Sequence, residues 1–178
     1  MRMPHDVRRA IAPVRRTLLP AAMILAAVVA CTDATGPAPS AIVRVDADTI
    51  HAQRYQAGSV AWLRFVVPVT IENPSSSSVF LQDCMYGVEQ PDGAQWRRVW
   101  SPICSLGASA GTEVRAGEQL ALTLPVDAAT SGPGAPEWNS AAIAGTYRLA
   151  VSLVTSRRDI TTVQAKSDAF LLVVAAVP

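Results

Sequence analysis

The chain has 178 residues, half of them hydrophobic, and carries 15 Lys+Arg against 14 Asp+Glu for a formal net charge of +1. That size and apolar content point to one small globular domain and exclude a disordered or collagen-like chain. Only 16% of residues are charged, which argues against nucleic acid as a partner.

The basic residues are unevenly placed. Arg2, Arg8, Arg9, Arg15 and Arg16 stand in the first 16 residues with a single acid, Asp6, and an uncharged run follows from Thr17 to Ala30. A basic segment, an apolar run of about 7–15 residues and then small residues form the plan of a secretory signal peptide. The run falls short of the roughly 20 apolar residues that a membrane-spanning helix needs, and Pro20 interrupts its start. Val28-Val29-Ala30-Cys31 resembles the lipobox of bacterial lipoproteins: an aliphatic residue three before an obligatory cysteine, with small residues between. Val29 is bulkier than the usual Ala or Ser. The resemblance implies cleavage before Cys31, a diacylglycerol on its thiol and a further acyl chain on the new amine. Two or three such chains hold a protein in a bilayer where one is marginal. Arg15-Arg16-Thr17-Leu18-Leu19 also resembles a twin-arginine export signal.

On this reading residues 1–30 are the signal peptide, 31–40 the lipidated cysteine with a flexible tether (Thr32-Asp33-Ala34-Thr35-Gly36-Pro37-Ala38-Pro39-Ser40), and 41–178 the folded domain. The mature part holds 10 basic and 13 acidic residues, a net charge of −3. The expected place is the bacterial cell envelope, membrane-anchored and facing the periplasm, the outer membrane or the cell surface. Thr32 is not the Asp that retains some lipoproteins at the inner membrane, which leans outward in an organism that follows that sorting rule.

The three cysteines are Cys31, Cys84 and Cys104. Lipidation accounts for the odd one, and the other two form an even pair in a compartment where disulfides persist. Closing a loop of about 21 residues is worth roughly 3 kcal/mol in the chain-entropy model. A metal site lacks partners, since His51 is the one histidine of the mature chain. A disulfide between Cys84 and Cys104 is expected.

From Ala41 onward period-two alternation replaces any 3.6-residue stripe. A first strand is expected from Ala41 to about Ile50. Leu63, Phe65, Val67, Val69 and Ile71 mark the next, and Pro68, which cannot donate to a ladder, places it at an edge or a bulge. Asn73-Pro74-Ser75-Ser76-Ser77-Ser78 turns the chain into a strand from Val79 to Gln90, and Pro91-Asp92-Gly93 turns it again into Gln95–Trp100. Leu120, Leu122 and Leu124 mark another strand, as do Tyr147, Leu149, Val151 and Leu153. Between these two, the Pro/Gly-rich connection Ser131–Ala142 leaves room for a short helical turn near Trp138–Ile143. A last strand, Ala169–Ala175, is expected to be buried on both faces rather than to enter a membrane. Seven or eight strands with such turns favour an all-β fold, a two-sheet antiparallel β-sandwich, over a barrel.

Several short pieces support that class: Val69-Thr70-Ile71-Glu72-Asn73, Pro91-Asp92-Gly93-Ala94-Gln95-Trp96, Val114-Arg115-Ala116-Gly117-Glu118 and Gly145-Thr146-Tyr147-Arg148-Leu149. Together they resemble bacterial immunoglobulin-like lipoprotein domains and, more loosely, the intracellular proteinase inhibitor (BsuPI-like) family over about Ala61–Val154. The inhibitor resemblance implies a protease-facing loop. The fold resemblance implies nothing about chemistry.

Gly107-Ala108-Ser109-Ala110-Gly111 matches the G-x-S-x-G hydrolase elbow by letter. The elbow needs a buried strand before the serine and a helix after it, and neither pattern flanks Ser109, so a serine hydrolase is the least favoured reading. His51 lacks an orienting acid and a nucleophile, and Asp46 with Asp48 falls short of the six or more oxygens of a hard-cation site. No enzymatic activity, metal or cofactor is expected. Trp96 and Trp100 flank Arg97-Arg98-Val99, and regular alternation puts Trp96, Arg98 and Trp100 on one face. Facing solvent, this set has the composition of a contact for a protein or glycan partner; facing inward, it is sandwich core. Trp138 is the other candidate contact. The expected function is therefore that of an anchored lipoprotein binding a protein or glycan, with inhibition of an envelope protease as the alternative.

Overall fold

The computed structural model describes residues 40–104, 111–156 and 162–175. The segments read above as signal peptide and tether, up to residue 39 and including Cys31, lie outside the described residues, as does Ser109.

Among the described residues nine strands follow one another: β1 (Ile42–Val45), β2 (Thr49–Ala57), β3 (Val60–Glu72), β4 (Val79–Asp92), β5 (Gln95–Trp100), β6 (Thr112–Val114), β7 (Gln119–Ser131), β8 (Gly145–Val154) and β9 (Thr162–Val174). The fold is an all-β sandwich. One layer sets β1, the second half of β2 and β7 on β3, and the other runs β9-β8-β4-β5 with β6 on β4. The expected first strand is two strands, and β6 was not anticipated. The Trp138–Ile143 stretch contains no helical turn.

One pair departs from the antiparallel expectation. Thr49–Ala52 of β2 runs parallel to Leu171–Val174 of β9, and Gln53–Ala57 then pairs antiparallel with β3. A strand that changes sheets in this way makes a corner between the layers.

The inward residues of both layers form the core. Leu63, Phe65, Val67, Val69 and Ile71 of β3 are all within 3% of full burial, as are Tyr147, Leu149 and Leu153 of β8 with Phe170 and Leu172 of β9. β9 is half-buried rather than buried on both faces, since Leu171 is 45% exposed. Tyr147 donates its hydroxyl to the carbonyls of Ala142 and Ile143, 3.0 Å each. That back-bond to the preceding corner is the tyrosine corner of immunoglobulin-like sandwiches.

The prolines occupy positions that need no donor. Pro68 lies within a strand flanked on both sides, so the edge expectation is corrected. Its carbonyl accepts from Asp46 at 2.9 Å, in the gap where β1 has ended and β2 has not begun to pair. Pro125, opposite Val66, points its carbonyl away from β3 to the Tyr86 hydroxyl at 2.8 Å. Neither missing N–H would have met a β3–β7 partner.

Candidate functional site

The Cys84–Cys104 disulfide is present, with Cα atoms 5.3 Å apart. It ties an irregular stretch of β4, between Leu81 and Tyr86, to the segment leaving β5. Between the two cysteines stands the β4–β5 hairpin, closed by Gly93-Ala94, with Gly93 at φ +60°. Glycine takes that left-handed turn without penalty.

A bulge decides what the hairpin presents. Glu89 pairs with Arg98 but Val88 pairs with Trp100, so Val99 is an extra residue on β5. A bulge breaks strict alternation, and Trp100 turns away from the face that carries Trp96 and Arg98. Trp100 is 3% exposed, donates its Nε1–H to the Asp127 carbonyl at 3.2 Å and packs on Tyr86. The placement of Trp100 as a contact is therefore corrected: it is core. Trp138 is corrected likewise, at 6% exposure. It packs edge-on to Phe65, lies 5.4 Å from the Tyr147 ring and donates to Ala142 at 3.3 Å. Buried indoles need such partners for their N–H.

Trp96 and Arg98 stay on the outer face, where β8 adds Arg148 and β4 adds Glu89. The Arg148 guanidinium sits 4.4 Å over the Trp96 ring. Its Nε and Nη2 reach Glu89 Oε2 at 2.9 and 2.7 Å. Arg98 reaches Glu89 Oε1 at 3.4 Å and the Ser101 hydroxyl at 3.2 Å. Two guanidiniums share one carboxylate, which leaves the patch one positive charge in excess. Arg98 lies across Gly87: a Cβ there would meet its Nη1 and the Trp100 carbonyl, both at 2.5 Å. The missing side chain is what lets the arginine lie flat.

The other layer carries a second cluster that sequence reasoning missed. Tyr55 and Trp62 stack at 6.2 Å with planes 17° apart, and Arg64 lies 4.8 Å over Tyr55. Asp127 accepts from the Tyr55 hydroxyl at 2.9 Å and from Arg64 Nη2 and Nε at 2.6 and 3.1 Å. Tyr55 and Trp62 face each other across a hairpin, a pairing legible from the turn at Gly58. Asp127 is 63 residues from Arg64, and nothing local announces it. His51 is exposed, and Asp46 accepts from Thr70 at 2.9 Å. Among the described residues no three His, Cys, Asp or Glu come together as a metal site, and no helix is long and apolar enough to cross a membrane.

No protein-family model and no curated protein matches the chain. Among solved structures, the beta-glucosidase from Listeria innocua in complex with gluconolactone is similar over 75% of the chain, at 17% identity and a TM-score of 0.28. The same enzyme in complex with glucose is similar over 75% of the chain, at 14% identity and a TM-score of 0.27. The chain spans 17% of the length of those enzymes. Likeness at that level says nothing of activity.

Proposed function

We propose that this chain is an envelope lipoprotein, acylated at Cys31, whose sandwich domain binds a protein or glycan partner through the outer face of the β4–β5 hairpin. The observation that carries the reading is the Arg148–Trp96 stack, with Glu89 holding Arg148 and Arg98 beside it. An aromatic ring and arginines already fixed in place lose little side-chain freedom on binding, and such residues dominate contact energetics. The uneven charge favours a partner surface with acidic groups.

Two experiments test the two halves. Labelled palmitate fed to cells is expected in the wild-type chain and absent from Cys31→Ser; label in both, or in neither, overturns the anchor. In-cell crosslinking of the tagged full-length chain, read by mass spectrometry, is expected to capture one dominant partner that Trp96→Ala with Arg98→Ala loses. Capture unchanged in that variant places the contact elsewhere.

A further inference from the structure

We infer that β7 pairs edge to edge with β7 of a second copy of this chain, over Leu120–Leu124. This rests on backbone hydrogen bonding and stands apart from the hairpin face proposed above.

Among the described residues β7 has one strand neighbour, β3. Its odd-numbered residues turn their N–H and C=O groups away from β3, as Pro125 and Asp127 show by bonding elsewhere. The second half of that open side is capped. Pro125 accepts from Tyr86, Asp127 accepts from Trp100, and Ala129 both accepts from the Trp138 amide and donates to Pro136, 2.8 Å each way. The first half has no such cover: among the described residues nothing bonds the outward groups of Ala121 and Thr123.

Sheet edges are normally blunted by charge, proline, bulges or covering groups. Gln119-Leu120-Ala121-Leu122-Thr123-Leu124 contains no charge and no proline, and runs in unbroken register along β3. Proline blunts it only at Pro125. The segment is also self-complementary. With Leu122 opposite Leu122 of the second copy, Ala121 faces Thr123, an outward residue meets an outward residue, and four backbone hydrogen bonds form symmetrically. The ladder then ends where Gln119 meets Pro125, which has no N–H to give. An uncharged edge meets its own copy without like-charge repulsion, which is why a second copy is the occupant assigned.

The register sets the test. Hydrogen-bonded partners in an antiparallel pair lie about 5.5 Å apart at Cα, within reach of a disulfide. Full-length Ala121→Cys and Thr123→Cys chains, differently tagged and each in a Cys31→Ser background, are mixed and oxidised with copper phenanthroline. A disulfide dimer carrying both tags is expected, at least about tenfold above that of a Gln95→Cys control on the hairpin tip. Monomer alone, or dimer equal to the control, overturns the inference. Thr123→Pro removes an outward N–H that β3 does not use, so the fold keeps its ladder. In sedimentation equilibrium of the full-length chain it is expected to weaken the dimer roughly thirtyfold, two hydrogen bonds being lost by symmetry. An unchanged association constant overturns the proposed edge.

Discussion

Gly117 donates its amide to the carbonyl of Asn73 at 2.8 Å, and Asn73 donates its own amide to the carbonyl of Glu118 at 2.9 Å. The end of β3 and the turn into β7, 44 positions apart in the chain, thus close on each other. Asn73, 1% exposed, also donates through Nδ2 to Ser77 and Val114 at 2.8 and 2.9 Å, while its Oδ1 accepts from Ser75. Every polar group of this buried residue is used, as burial demands.

Asn73→Ala is therefore expected to cost about 2 kcal/mol, because buried acceptors lose their donor. Gly117→Ala has free space around the new methyl but a φ of +72°, so its cost is expected near 1 kcal/mol from backbone strain alone. Urea unfolding of both variants separates the two causes, and equal losses would contradict the assignment.

Trp100→Phe keeps much of the packing and loses the Nε1–H donated to Asp127. A loss of about 1 kcal/mol is expected, against about 3–5 kcal/mol for Trp100→Ala. Thermal unfolding should resolve the ranking. The Phe variant should keep full partner capture, since Trp100 meets the core and not the outer face.

Glu89→Gln leaves Arg148 and Arg98 without their shared carboxylate. Both arginines retain some exposure, 16% and 41% of their side chains, so the expected loss is about 1–3 kcal/mol, less than for a fully buried pair. Adding Arg148→Met should recover part of that loss in a double-mutant cycle. No recovery would mean that the pair is not coupled.

Burial raises the pKa of both Tyr86 and Tyr147 above the ordinary 10.0, and the Asp83 carboxylate adds to the rise at Tyr86. The unfolded chain then gives up its phenolic protons first. Stability from these groups is complete below about pH 10 and is lost as pH rises through the folded-state values. Urea midpoints from pH 8 to 11 should fall only at the alkaline end, and Tyr86→Phe with Tyr147→Phe should flatten that fall.

Reducing the disulfide should cost about 3 kcal/mol, the loop-closure value for a sequence separation of 20. A urea midpoint unmoved by dithiothreitol would show that β4 and the segment after β5 are held together without it.

Alternation, turn residues and cysteine parity were enough to read the β class, the inward face of β3, a turn at Gly93 and the pairing partner of Cys84, because these depend on near neighbours and on cysteine count. The turn falls at Gly93-Ala94, with Pro91 and Asp92 still paired in β4. Alternation could not show that β2 changes sheets, since pairing with β9 depends on a strand more than a hundred residues away. Nor could it orient the tryptophans. Period two says which residues share a face, and a single extra residue, Val99, sends Trp100 inward while Trp96 stays out. The charged clusters were hidden for a related reason: Arg64 with Asp127 and Arg148 with Glu89 are joined only when distant strands take their register. A local pattern specifies a strand and its two faces, but burial of one face and the partners of the other are set by the strands packed around it.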